Sequence, residues 1–292
     1  MNKEKKQAIL ILAHDNLNTL KKIIMSLDSK YFDLYIHVDK KSNICFADVK
    51  DLCKMSTLYF YKVIDVRWAD FSQVEAELFL LSKSVMKEYE YYHLISGNDM
   101  PLKRPKDIYD FFHGSKLEYV HFSSKETERS KIDWVKYYHL FMKKMRNNLF
   151  LNVLDKLLVL LQKVVFVNRL RNKNIKIMSG ANWFSITNEL ANYTIQNEDF
   201  IRKTYRYTRS SDEIFLQTLI ENSVFKEHLY NKEYNDNYDS CKRFIKWDGK
   251  KPYVFKRDDY DELDNSSMFF ARKFDENEDG MIIDLLYKRL RG

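Results

Sequence analysis

The chain has 292 residues, 45% of them hydrophobic and 15% aromatic, with only 6 Gly and 3 Pro. That composition excludes a disordered, collagen-like or linker-dominated protein and supplies enough apolar mass for one substantial core. The 49 Lys and Arg outnumber the 42 Asp and Glu, giving a net charge of +7 and an isoelectric point near 9.0, which points to an anionic partner. A nucleic acid, a phosphorylated small molecule and a membrane surface all satisfy that charge. The basic residues are scattered, however, with no RNA-recognition, zinc-finger or basic-zipper pattern, so nucleic acid is the minor option. Cys45, Cys53 and Cys241 form no CxxC pair and lie in no His-rich stretch, which argues against a disulfide framework or zinc site and for a reducing compartment.

In chain order, the apolar run over residues 7 to 13 stops at His14 and Asp15 without a small-residue cleavage site, and reads as a first strand rather than a signal peptide. Asp15 or Asn16 is placed to cap a helix through Leu17, Leu20, Ile24 and Leu27. Further strands are expected at 33 to 38, 58 to 63 and 91 to 96. Between the last two, Ser72 to Glu75 has the spacing of a capping box leading into Ala76, Leu78, Phe79 and Val85. The alternation predicts a mostly parallel sheet with crossover helices. A strand-like segment over 180 to 187, a helix from about Asp212 to Glu221 and a terminal helix from about Gly280 to Leu290 complete a chain read as one domain.

Leu149 to Val167 is apolar enough to suggest a membrane span, but Asn152, Asp155, Lys156, Gln162 and Lys163 interrupt it. Lys143, Lys144 and Arg146 precede it, and Arg169, Arg171, Lys173 and Lys176 follow. The pattern suits an interfacial helix on anionic lipid and, equally, an amphipathic helix packed on the domain core.

The residues 91 to 102, YYHLISGNDMPL, end an apolar strand in a Ser-Gly-Asn-Asp turn, which is where open α/β sheets present ligand sites. Four blocks then carry a resemblance. Residues 11 to 24 (ILAHDNLNTLKKII) with 35 to 42 (YIHVDKKS) form the first, and 67 to 81 (RWADFSQVEAELFLL) with 91 to 103 the second. Residues 180 to 187 (GANWFSIT) with 209 to 220 (RSSDEIFLQTLI) form the third, and 269 to 275 (FFARKFD) the fourth. In this order the chain resembles the core-2/I-branching β-1,6-N-acetylglucosaminyltransferase family, glycosyltransferase family 14, in its bacterial type. Residues 123 to 175 are left roughly unmatched.

The resemblance implies a GT-A-like, Rossmann-type nucleotide-sugar-binding fold and an inverting transfer from a UDP-sugar, without a divalent metal or other cofactor. It divides the chain into a nucleotide-sugar half (about 1 to 122), a basic amphipathic helical insert (about 123 to 178) and an acceptor-binding and catalytic half (about 179 to 292). His14 and Asp39 match the strand ends that hold uracil and ribose, a task a carboxylate can perform by accepting hydrogen bonds; capping of the following segments is the other reading. Asp99 stands where related folds carry a metal-binding Asp pair, but Asn98 and Met100 leave it single, a poor cation site, so it is expected to contact sugar or ribose hydroxyls or else to hold its turn.

Glu213 matches the family's general base, with Asp212 beside it orienting the loop or acceptor, although Ser211 replaces a proline and Ser210-x-x-Glu213 is also capping-box spacing. Lys273, with Arg272 as a weaker extension, matches the lysine that meets the leaving diphosphate. A second upstream cation is open among Lys251, Lys256 and Arg257. Trp183 is expected to stack on the acceptor sugar, and Trp247 either to line the acceptor side or to pack in the core. The expected partners are a UDP-sugar donor, N-acetylglucosamine by default or else xylose, glucose or galactofuranose, and a glycan or lipid-linked acceptor. The expected location is cytoplasmic, peripheral on the inner face of the cell membrane, in surface-glycan synthesis. A non-catalytic sugar-nucleotide-binding protein of the same fold is the alternative.

Overall fold

The computed structural model describes residues 5–145, 148–171, 174–249 and 251–291. In chain order the first half contains β1 (Gln7–Ala13), α1 (Leu17–Leu27), β2 (Phe32–Val38), β3 (Leu58–Tyr61), α2 (Ser72–Ser84), β4 (Tyr91–Ser96), β5 (Asp99–Pro101), α3 (Pro105–Phe112) and β6 (Tyr119–Val120). A helical stretch follows: α4 (Lys125–Lys136), α5 (Met142–Met145) and α6 (Leu149–Val164). Then come β7 (Phe184–Thr187), α7 (Asn188–Gln196), α8 (Glu198–Tyr205), α9 (Phe215–Glu221), β8 (Arg243–Ile245), β9 (Trp247–Asp248), β10 (Lys251–Pro252), α10 (Tyr260–Asn265), β11 (Phe270–Arg272) and α11 (Glu276–Arg291).

The main sheet has the order β3-β2-β1-β4-β7-β6. β1 pairs in parallel with β2 and β4, and β2 with β3, as the four apolar runs predict. The sheet is nonetheless mixed, because β7 runs antiparallel to both β4 and β6. Strand alternation splits the core between its two faces. Ala8 and Leu10 of β1 pack with Val74, Leu78 and Leu81 of α2, whereas Ile9 and Ile11 pack with Leu20, Ile24 and Leu27 of α1 and Ile283 and Leu286 of α11. A second sheet, β5-β11-β8, branches off the end of β4 and sets Arg272 opposite Asp99 as cross-strand partners.

The helix starts differ from their sequence signals. Asn16 does stand at the head of α1, but in a left-handed conformation (φ 55°) that turns its amide to Asn98 Oδ1 at 2.9 Å. Glu276 caps instead, accepting from Thr19 N at 2.7 Å and Thr19 Oγ1 at 3.0 Å. No capping box forms at α2: Ser72 Oγ accepts from Arg67 N, Glu75 pairs with Arg202, and Asp70 accepts from Ser72 N. The strand expected over 180 to 187 is extended loop until Phe184, where pairing to β4 and β6 begins. The helix expected from Asp212 begins at Phe215, after a single tight turn over Ser211–Glu213. The last helix gains a turn before a break at Asp279 (φ -154°), whose carboxylate accepts from Met281 N and so starts the regular part at Gly280.

The segment after Asn148 is a helix, but it is mounted with its polar side on the domain. Asp155 is buried against His139 Nδ1 at 2.8 Å, while Phe150, Leu157 and Leu160 face outward. No helix of the described residues is long and apolar enough to cross a membrane. Of the flanking basic residues, Arg146 and Lys173 lie outside the described residues. Arg169 is not a free surface cation: it donates to Val135 O, Tyr137 O, Thr208 Oγ1 and Thr204 O, and is a joint of the fold.

Candidate active site

The strand-end residues gather at the carboxyl edge of the parallel sheet. Asp39 N donates to Ala13 O at 2.8 Å, which brings the residues after β1 and β2 side by side. Gly97 N bonds Leu12 O at 2.8 Å, and a Cβ on Gly97 would lie 2.9 Å from that of Ala13, so only glycine lets the turn after β4 come this close. His14 is exposed and faces Asp15 at 3.1 Å. That contact, with help from Asn98 and Lys273, holds the Asp15 carboxyl below its usual range. Asp39 is buried, with Lys41 Nζ 3.0 Å from Oδ2 and Lys41 N donating to Oδ1.

Asp99 is 2% exposed and already engaged. Ser96 N donates to Oδ2 at 2.7 Å, and Ser96 Oγ and Arg272 both donate to Oδ1 at 2.8 Å. The carboxylate therefore holds its own turn and anchors an arginine. The other side of that guanidinium lies 4.7 Å from the centre of the Trp183 ring. Arg272 thus connects two residues that the sequence assigned to opposite substrates. Lys273 follows it, partly exposed, 3.9 Å from Asp275 and close enough to act on Asp15. Lys251, Lys256 and Arg257 are all exposed; the backbone N–H of Arg257 donates to Asp279.

Glu213 is reached through the loop that carries Trp183. Gly180 N donates to Glu213 O at 2.9 Å, with a Cβ at Gly180 falling 1.9 Å from His121 O, so this crossing admits no side chain. Ser210 is left-handed (φ 44°) and makes no side-chain cap, and Glu213 does not fold back on it. The capping-box reading fails here, since the Glu213 carboxylate instead takes a bond from Lys131 Nζ at 2.8 Å while staying 40% exposed. Lys131 comes from α4, in the stretch that lies outside the four motif blocks, and no local signal marks it.

Beneath Glu213 lie two buried acids. Burial, then the charge of Glu213, pushes the Asp212 carboxyl up to about 7; Gln73 Nε2 donates to it at 3.1 Å. Glu77 of α2 is fully buried, and burial followed by the charge of Asp212 drives its carboxyl well above the usual range. Of these three neighbouring acids only Glu213 reaches solvent. Trp247 stands at the rim, half-exposed and not in the core, 6.5 Å from Tyr238, whose own ring stacks on His121 at 4.3 Å. Among the described residues no group of three or more His, Cys, Asp or Glu is arranged to hold a metal ion.

These polar residues collect at the carboxyl edge of an α/β sheet, the place where open sheets of this class present ligand sites. The family described as Core-2/I-Branching enzyme matches residues 8–268. The rat (Rattus norvegicus) protein xylosyltransferase 2 is 23% identical over 309 residues, covering 98% of this chain and 34% of its own length. Xylosyltransferase sqv-6 of Caenorhabditis briggsae is 24% identical over 297 residues, covering 93% and 35%. The chain thus spans about a third of the length of these curated relatives. Among solved structures, the apo-form glycosyltransferase GlyE of Streptococcus pneumoniae TIGR4 shares 13% identity at a TM-score of 0.37, covering 76% of this chain and 44% of its own. The chain belongs to the core-2/I-branching enzyme family, glycosyltransferase family 14.

Proposed function

We propose that the chain moves a sugar from a UDP-sugar to a hydroxyl of a glycan acceptor, inverting the anomeric centre, with Glu213 as general base. The observation that carries this is Glu213 itself: a partly exposed carboxylate paired with Lys131, seated on two buried acids and tied through Gly180 to the loop holding Trp183, whose ring lies against Arg272 of β11. Glu213 takes the acceptor proton as the hydroxyl oxygen bonds to the anomeric carbon, and the bond to UDP breaks on the opposite face of the sugar. Lys273 and Arg272 meet the charge gathering on the diphosphate. His14 and Asp39 hold the nucleoside, and Trp183 and Trp247, with Asp212 behind Glu213, flank the acceptor. Asp99 serves the donor through Arg272, which it fixes, in place of direct contact with sugar hydroxyls.

A divalent metal has no role in this reading, because the guanidinium of Arg272 occupies the carboxylate of Asp99 that a cation would need. N-acetylglucosamine is the donor implied by the family resemblance, while the xylosyltransferase relatives make xylose its first competitor. The work is placed at the inner face of the cell membrane, on surface glycans. Thermal shift with UDP and with UDP-linked N-acetylglucosamine, xylose, glucose and galactofuranose, each in EDTA, ranks the donors. Glu213→Gln then lowers transfer by about 100-fold or more with UDP binding kept. Transfer unaffected by Glu213→Gln removes the base assignment, and binding without any transfer in the native chain favours a non-catalytic sugar-nucleotide-binding protein.

A further inference from the structure

The outward face of α6 has no part in the transfer proposed above. At about 100° per residue, Phe150, Leu157, Leu160, Leu161 and Val164 fall on one side of the helix, and Phe166, in a left-handed turn just past its end (φ 56°), is exposed as well. All are between 52% and 87% exposed. The opposite side bonds to the domain: Asp155 to His139, Gln162 to both backbone groups of Tyr138, and Asn152 to Met145 O. A surface helix ordinarily turns its apolar side to the core, and this one is reversed.

Charge identifies the occupant. Lys143 and Lys144 just before α6, Lys156 within it and Arg171 after it are exposed and have no carboxylate partner among the described residues, and Lys163 stands exposed beside its partner Asp133. The only acid of α6, Asp155, is turned inward. A second copy of the chain would bring these cations against their own kind, whereas anionic lipid headgroups neutralise them while the acyl boundary takes the leucines.

We propose that α6 and Phe166 insert into the surface of an anionic bilayer as a monotopic anchor, with Lys143, Lys144, Lys156 and Arg171 at headgroup level. The anchor is tied to Glu213 by two short paths. Leu151 packs against the cluster of Met142, Met145 and Ala69, the carbonyl of Ala69 accepts from Ser210 N at 2.8 Å, and α4 holds both Asp133, paired with Lys163, and Lys131, paired with Glu213. Taken with the transfer reaction proposed above, on which this consequence alone rests, the base works beside the membrane on a lipid-borne hydroxyl.

The test uses the full chain and sedimentation with vesicles of phosphatidylcholine alone or mixed with phosphatidylglycerol. Binding to the anionic vesicles, stronger than to phosphatidylcholine and reduced more than about tenfold in Leu157→Glu/Leu160→Glu at unchanged melting temperature, is the expected result. Val164→Ser/Phe166→Ser is the second variant should the first fail to fold. No binding to anionic vesicles overturns the proposal, as does binding that neither variant weakens. A dimer in sedimentation equilibrium that Leu157→Glu/Leu160→Glu dissociates, without vesicle binding, assigns the face to a second copy instead. None of these readouts involves sugar transfer, so they stand or fall apart from the reaction.

Discussion

Arg272 and Asp99 form a buried cross-strand ion pair, and replacing Arg272 by Met leaves a carboxylate that is 2% exposed with only Ser96 to satisfy it. Breaking such a pair from one side costs about 3 to 5 kcal/mol. Because the Arg272 side chain keeps 22% exposure and water screens part of the interaction, the lower end applies, about 3 kcal/mol. Asp99→Asn keeps the shape and one acceptor and costs about 2 kcal/mol. The double variant no longer strands a charge, so it should cost about 3 kcal/mol in place of the additive 5, a coupling of about 2 kcal/mol. Urea unfolding at neutral pH measures all three variants against the native chain, with the slope m required to stay constant. Arg272→Met should also melt roughly 6 °C lower. Free energies that add to within about 0.5 kcal/mol would refute the pairing and, with it, the argument that Asp99 acts through Arg272.

Gly180→Ala forces a Cβ onto His121 O, so a loss of at least about 2 kcal/mol is expected in the same urea assay, together with lost transfer as the Glu213 carbonyl is pushed away. Asp212 binds its proton more tightly folded than unfolded, so its contribution to stability is complete below about pH 4 and fades as pH rises towards 7. Asp212→Asn should therefore flatten the fall of the urea midpoint between pH 4 and 7, and a parallel curve would contradict the shift. Arg169→Met leaves three backbone carbonyls and Thr208 Oγ1 without their donor, and should lower stability by about 3 kcal/mol, seen as an earlier thermal transition. A surface cation bound only to lipid would show no such change.

Much of the parallel sheet was legible because a strand buried on both faces writes itself as an unbroken apolar run, as in Gln7–Ala13 and Tyr91–Ser96. Helix starts were less so. The groups that cap α1 and begin α2 compete with partners far along the chain, and Glu276, 257 residues from Thr19, wins the first of these contests. Short-range spacing cannot register such competition.

For the site, local motif and family resemblance singled out His14, Asp39, Asp99, Glu213, Arg272 and Lys273 one by one. The sequence by itself determined the α/β class, the family and the candidate site residues, because these depend on periodicity and on short runs of neighbours. Tertiary structure decided how those residues are used. It set Arg272 between Asp99 and Trp183, brought Lys131 from a helix outside the four motif blocks to Glu213, and buried Glu77 under Asp212. It also decided which way α6 faces, since an amphipathic pattern states that a helix has two sides but not which of them finds the domain. That choice fell to Asp155 meeting His139 and Gln162 meeting Tyr138, contacts 16 and 24 residues apart that exist only once the chain has folded.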